Sequence, residues 1–210
     1  ENPRPELSTK VYGSDGELLD EIFYKNRSRI SLADLPPGLV GALVATEDKQ
    51  FYNHWGLHVT RIAKAFVKNI MAFDLDREGA STITQQLARN LYLKWRDRNI
   101  FDKFTRKIRE AFTSVQIERN FTKEEIIELY LNVVWYGRGS YGIESASRTY
   151  FGKPASELEV GEYTLLIGML RGPGYYDPIT HSERALARRN VVLGQMVREG
   201  MLSHDSVSVI

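Results

Sequence analysis

The 210-residue chain is expected to be mainly α-helical, with one short β-hairpin near its N-terminus. Three observations lead there. Apolar residues recur at three- and four-residue intervals through most of the chain beyond residue 36. Helix-start signals, a Ser or Thr followed three residues later by Glu or Gln, occur at Thr82, Thr122 and Ser156. Period-two alternation is convincing only within residues 7–24.

Residues 1–6 read as a linker. Ser14-Asp15-Gly16 marks a turn between Val11-Tyr12 and Ile22-Phe23-Tyr24, hence the hairpin. An apolar-periodic run follows Pro36-Pro37 and reaches about Phe51. A second helix is expected over 58–72. A third opens near Ser81-Thr82 and carries Ile83, Leu87 and Leu91. A fourth spans about 100–119, with Phe101, Phe104, Ile108, Phe112 and Val115 at helical spacing. Thr122 and Glu125 open a fifth, through Leu131. Gly137, Gly139 and Gly142 mark a loop. A helix over 143–151 stops at Gly152, with Pro154 beyond. Ser156 and Glu159 suggest a capping box opening a helix to Leu170. The last long helix runs from Ser182 to Glu199 and ends at Gly200.

Composition narrows the function classes. With 42% hydrophobic residues the chain can bury a core as one domain over 1–210. A net charge of +1 gives no case for a nucleic-acid partner, so any anion-binding surface must be local. The lack of cysteine excludes disulfides and thiolate metal sites. No leader peptide and no run of about 18 apolar residues is present. The chain opens at Glu1 without Met and ends at Val209-Ile210 without a helix stop. We expect a piece excised from a longer chain, with an N-terminal membrane anchor removed.

One carboxylate stands out. On a helical wheel over 39–51, Val40, Leu43, Val44 and Phe51 fall within an arc of roughly 100°. Glu47 sits at the middle of that arc, whereas Asp48 does not. Burial would raise the pKa of Glu47, which suits a proton-transfer group near neutral pH. The alternative is a structural Glu paired with an Arg or with backbone donors. His54 and His58 have i,i+4 spacing, but no Glu follows the first, so packing or capping is favoured over zinc binding.

Two further segments suit an anion. In Glu78-Gly79-Ala80-Ser81-Thr82-Ile83-Thr84-Gln85-Gln86, a capping box from Thr82 to Gln85 is a complete structural reading. The functional reading adds a positive helix end rich in amide and hydroxyl donors for a phosphate, with Arg89 and Asn90 a turn later. In the fourth helix, Glu110 points about 160° from the apolar centre near Ile108, beside Lys103, Arg106 and Lys107. Pattern alone favours a solvated face with an Arg106–Glu110 pair. The alternative is a cleft wall that grips a diphosphate.

Together these segments resemble the peptidoglycan glycosyltransferase family, glycosyltransferase family 51. This is the transglycosylase module of class A penicillin-binding proteins and of monofunctional glycosyltransferases. The resemblance rests on five ordered motifs. They are Glu47-Asp48-x-x-Phe51-x-x-His54-x-Gly56, Gly79-x-Ser81-Thr82-Ile83-Thr84-Gln85-Gln86-Leu87 with Arg89-Asn90, Arg106-Lys107-x-x-Glu110, Lys123-x-x-Ile126-x-Glu128-x-Tyr130-Leu131-Asn132, and Arg188-Arg189-x-x-Val192-Leu193. Two positions depart: His58 stands where the family often has an acid, and Arg89 where it often has Lys.

The resemblance implies a lysozyme-like, two-lobed helical fold with a smaller membrane-proximal lobe around 60–100. It implies polymerisation of lipid II into β-1,4-linked glycan with inversion and release of undecaprenyl pyrophosphate. Glu47 and Glu110 would be catalytic. Ser81, Thr82, Gln85, Gln86, Arg89, Asn90, Arg106 and Lys107 would bind substrate. Asp48, Phe51, His54 and Gly56 would support them, and Glu128, Tyr130 and Asn132 would be structural first. The resemblance admits a divalent cation (magnesium or manganese) at the pyrophosphate, with ligands that the sequence does not identify. Implied partners are lipid II, the growing lipid-linked strand and the membrane surface, at the periplasmic face of the bacterial cytoplasmic membrane. A fused C-terminal transpeptidase domain is left open. Residues 65–73, apolar with interspersed Lys, are expected to lie in the membrane interface. The rival function is a peptidoglycan hydrolase or lytic transglycosylase of lysozyme-like fold.

Overall fold

A computed structural model describes residues 9–12, 18–22, 29–57, 81–92 and 100–208. The expected linker, the turn at Ser14-Asp15-Gly16, the helix over 58–72, the segment 65–73, His58 and Gly79 lie outside them, as does most of the lobe expected around 60–100. The fold class is the expected one: mainly α and lysozyme-like, with a short N-terminal antiparallel hairpin. The chain gathers into two compact units, Glu1–Thr46 with Ile127–Ile210, and Glu47–Ile126.

In the first unit, β1 (Thr9–Tyr12) pairs with β2 (Leu18–Ile22), and the register slips between Val11 and Tyr12. Helix α1 (Pro37–Glu47) starts on proline, whose fixed φ suits the first helical position. It has no amphipathic stripe: Leu39 and Ala42–Ala45 are all buried. The helix stops at Glu47, short of the expected Phe51, and residues Phe51–Asn53 form a separate 3₁₀ turn.

Helix α4 (Lys123–Val133) has the expected capping box. The Thr122 N–H donates to Glu125 at 2.7 Å, and the Glu125 N–H donates to the Thr122 hydroxyl at 3.2 Å. Its outer face clasps the segment before α1. Asn132 accepts from the Ile30 N–H at 2.9 Å and donates to the Ile30 carbonyl at 2.8 Å, while Glu128 accepts from the Leu32 N–H at 3.1 Å. Glu128 and Asn132 therefore satisfy backbone groups of Ile30 and of Leu32, the first residue of a 3₁₀ turn over Leu32–Asp34.

Where only a loop is expected, a second hairpin forms, β3 (Trp135–Gly137) with β4 (Ser140–Tyr141). Its turn places Arg138 at φ 47°, a left-handed conformation, and an ion pair to Asp177 at 2.9 Å holds it. Gly142 follows at φ 86° and ψ 155°, a region essentially confined to glycine. Helix α5 (Ile143–Phe151) ends on left-handed Gly152, as expected.

The expected Ser156–Glu159 capping box is not the one that forms. Ala155–Glu157 is a 3₁₀ turn, and α6 (Val160–Met169) is capped by Glu159 with Glu162 at the third position, whose carboxylate accepts the Glu159 N–H at 2.7 Å. The tight turn after Pro154 uses up the residues that a Ser156 cap would need, so the start moves three residues on. Residues Tyr163–Met169 are buried, and α6 packs against α7 (Ser182–Arg198), whose Ala185, Val192, Leu193 and Met196 are also buried. Each large apolar side chain buried here contributes about 1.5–3 kcal/mol. A short α8 (His204–Ser208) follows.

In the second unit, α2 (Ile83–Tyr92) packs on α3 (Ile100–Asn120). Here the wheel misleads. Phe104, Ile108 and Phe112 are exposed at 54%, 43% and 72%, whereas Glu110, Ser114 and Ile117 on the opposite side are buried. The polar face is the packed one, because its side chains find partners in α2 and in residues 47–57.

Gly142 allows a direct test. A Cβ there would meet the Asn132 carbonyl oxygen at 2.7 Å, whereas one at Gly139 (φ 75°) would meet nothing within 4 Å. Gly142→Ala should cost more than about 2 kcal/mol and Gly139→Ala only about 1 kcal/mol. Urea denaturation of both variants checks this, and equal midpoints would contradict it.

Candidate active site

All the residues singled out from residue 47 to residue 110 belong to the second unit. The end of α1, the turn after it, α2 and the body of α3 position them. Glu47 is the last residue of α1, and Asp48 is the first residue beyond it. Once the helix stops, the wheel no longer predicts direction. Asp48, expected off the buried arc, is the fully buried carboxylate, at 1% exposure. Glu47 is half-buried and accepts from the Gln86 amide at 3.0 Å. Its setting is thus a hydrogen bond at a helix end rather than the expected apolar stripe.

Asp48 Oδ2 accepts twice, from the Ile83 N–H at 3.1 Å and from His54 Nε2 at 2.8 Å. His54 Nδ1 accepts from the Gly56 N–H at 3.0 Å, which assigns the ring proton to Nε2, where it is donated to Asp48. Gly56 adopts φ 95° and its carbonyl accepts from the Thr82 hydroxyl at 2.8 Å. A Cβ at Gly56 would lie 3.0 Å from the Ser114 carbonyl oxygen, so glycine is needed for both its conformation and its space. Phe51 is fully buried and meets the His54 ring edge-on, with centroids 6.0 Å apart. The expected supports, Asp48, Phe51, His54 and Gly56, thus form one connected turn.

The start of α2 is a full capping box. The Thr82 N–H donates to Gln85 Oε1 at 3.0 Å, and the Gln85 N–H donates to the Thr82 hydroxyl at 3.1 Å. With the Ile83 N–H on Asp48, three amides at this helix start are committed within the protein. The donors expected there for a phosphate are therefore largely spent. Thr82 is fully buried and Gln85 nearly so, while Ser81 and Gln86 remain half-buried. Arg89 is exposed and Asn90 half-buried further along α2.

Glu110, expected on a solvated face, is 1% exposed. Arg106 Nη1 donates to its Oε1, and Lys107 Nζ lies 3.0 Å from its Oε2. Lys107 also donates to the Ser81 hydroxyl at 2.9 Å. Arg106 and Lys107 share this carboxylate, and both remain partly open to solvent. This is an anion-attracting cluster held rigid from behind.

A divalent cation does not fit at Glu110, since both carboxylate oxygens are taken by cations and a further positive charge would be repelled. Among the described residues no three His, Asp or Glu side chains converge on a metal position. The arrangement suits phosphoryl oxygens at the cations and proton transfer at Glu47. Helix α2 connects the two groups, with Ser81 at its start tied to Lys107 and Gln86 one turn on tied to Glu47.

Sequence reasoning assigned no role to Thr84, Glu118 or Lys123. Thr84 is fully buried, and its hydroxyl donates to Glu118 at 2.6 Å. Lys123 pairs with Glu118 at 2.7 Å. The signal available was Lys123 heading the fourth motif.

The transglycosylase family's sequence model matches residues 15–197. Penicillin-binding protein 1A of Aquifex aeolicus is 41% identical over 201 residues, covering 96% of this chain and 27% of that protein. Penicillin-binding protein 2D of Bacillus subtilis is 44% identical over 198 residues, covering 93% and 28%. The crystal structure of penicillin-binding protein 1A from Haemophilus influenzae matches with a TM-score of 0.54 and 25% identity, over 98% of this chain and 20% of that one. The chain thus spans about a quarter of the length of the curated relatives it matches. With the family's model matching residues 15–197, most of its length, the chain belongs to the transglycosylase family.

Proposed function

We propose that this chain is a peptidoglycan glycosyltransferase that polymerises lipid II into β-1,4-linked strands with inversion, releasing undecaprenyl pyrophosphate. The observation that carries the reading is the double anchoring of α2, with Glu47 held by Gln86 and the Arg106–Lys107–Glu110 cluster held by Ser81. Transfer from a pyrophosphate donor needs both a base and a cationic receiver.

Glu47 takes the proton of the acceptor's 4-hydroxyl as that oxygen bonds to the donor's anomeric carbon. The bond from that carbon to the pyrophosphate breaks on the opposite face. Gln86 keeps one Glu47 oxygen oriented and leaves the other for the substrate. Arg106 and Lys107 receive the negative charge that builds on the departing pyrophosphate, and Ser81 adds a hydroxyl. Glu110 acts on the cations: it fixes their heads in advance, so that little reorganisation is needed as the charge develops. Arg89 and Asn90 extend the polar surface along α2. Thr82 and Gln85 contribute by building the helix start, as do Asp48, His54, Phe51 and Gly56 by fixing the turn beside it.

The site would work at a membrane surface on the periplasmic face. The outward apolar row of Phe104, Ile108 and Phe112, on the helix that carries Lys103 and Arg109, supports such a placement. No helix among the described residues is long and apolar enough to cross a membrane.

Glu47→Gln should keep the fold and reduce polymerisation of purified lipid II by at least about 10³-fold. Retained turnover, or release of soluble muropeptides from finished wall with no polymer made, would overturn the assignment. Glu110→Gln should lower kcat by on the order of 10²-fold and stability by about 3 kcal/mol, because two cations lose their shared partner. Chelation of divalent ions should change wild-type turnover less than about twofold, and added magnesium should not rescue Glu110→Gln. Rescue would instead make Glu110 a metal ligand. Replacing Phe104, Ile108 and Phe112 together by Ser should weaken binding to anionic lipid vesicles at least about tenfold with little change in melting temperature. Unchanged vesicle partition would remove that face from the membrane.

A further inference from the structure

Lys123 opens α4, and its ammonium sits among three groups from two other segments, the turn over Phe51–Gly56 and α3. It donates to the His54 carbonyl at 2.6 Å and to Glu118 Oε1 at 2.8 Å, and it lies 4.4 Å above the centroid of the Phe51 ring. Its side chain is 19% exposed and that of Glu118 is 7% exposed. Glu118 Oε1 in turn accepts from the Thr84 hydroxyl at 2.6 Å. Thr84 stands on α2 two residues before Gln86, the residue that holds Glu47.

A charge this enclosed is tolerated only because each side of it is matched. An anion, a carbonyl oxygen and the negative face of an aromatic ring are all present. Removing the ammonium would release all three at once. The His54 carbonyl would lose its donor, Phe51 its cation, and Glu118 the counter-ion that keeps it aimed at Thr84. The first two belong to the turn that carries His54, and Glu118, on α3, reaches the helix that carries Gln86 through Thr84.

We propose that Lys123 is a positioning residue for glycosyl transfer. It fixes the turn over Phe51–Gly56 directly and the setting of α2 through Glu118 and Thr84, and it thereby sets where Gln86 holds Glu47. The proposal rests on the reading of Glu47 as the base. The role is one of geometry, so the effect belongs in kcat more than in KM.

The test compares Lys123→Met, Lys123→Arg and Glu118→Gln with Glu47→Gln in the full-length protein, using purified lipid II. Lys123→Met keeps the apolar stem and removes the charge. It should lower kcat on the order of 10- to 100-fold with KM changed less than about threefold. Lys123→Arg should recover most of the loss, because it restores a cation over Phe51 and a donor to Glu118. Combining Lys123→Met with Glu118→Gln should cost no more than the larger single loss, since both cut one chain. Unchanged kcat in Lys123→Met, a loss carried by KM, or no recovery in Lys123→Arg would overturn the proposal. Should Lys123→Met fail to fold, Glu118→Gln carries the same expectations and the same refutation. If Glu47→Gln retains turnover, the catalytic reading itself falls. If Glu47→Gln is inactive while Lys123→Met and Glu118→Gln turn over normally, only the positioning role falls.

Discussion

The buried carboxylate of Asp48 is the point on which the site depends. It lies one residue past the end of α1 and accepts from the first amide of α2 and from His54. An ionised carboxylate at 1% exposure is tolerated only with such donors, so its burial and its partners imply each other. The consequence is that Glu47, its chain neighbour, inherits a fixed position without being buried itself. Gln86 then completes that position from the same helix that Asp48 caps. The Asp48–His54–Gly56–Thr82 connections mean that the turn and the start of α2 cannot move separately.

The second constraint is electrostatic. Glu110 would be an expensive residue to bury alone, but with Arg106 and Lys107 on its two oxygens it becomes the anchor of a cationic surface. The arrangement gives the three side chains different settings: the carboxylate is enclosed, and the guanidinium and ammonium that it holds remain partly open to solvent. It also explains why α3 turns its charged side inward and leaves Phe104, Ile108 and Phe112 outside. The inward side has partners waiting in Ser81 and the turn, which three aromatic and aliphatic side chains could not satisfy.

Much of the fold was legible from local signals. The helix starts at Thr82 and Thr122 and the glycine stop at Gly152 follow from side-chain hydrogen bonding and from the left-handed preference of glycine, which act over a few residues. The Ser156 box failed for a local reason too, since a 3₁₀ turn after Pro154 displaced it to Glu159. The β3–β4 hairpin escaped notice because its strands of three and two residues are too short for alternation to show.

The site divides along the same line. The sequence by itself determined which residue types are present and in what order, and through the five motifs it determined the chemistry to expect from Glu47, Arg106, Lys107 and Glu110. Only the tertiary structure decided which of them are buried and what they hold. Asp48 rather than Glu47 is the enclosed carboxylate, because the helix ends between them. Glu110 is packed rather than solvated, and the Lys107 that holds it is tied in turn to Ser81. Lys123 joins the site because Glu118 and the His54 carbonyl meet it in space, 5 and 69 residues away along the chain. A periodic pattern records which way a side chain points from its own helix. What stands opposite it is a property of the assembled fold.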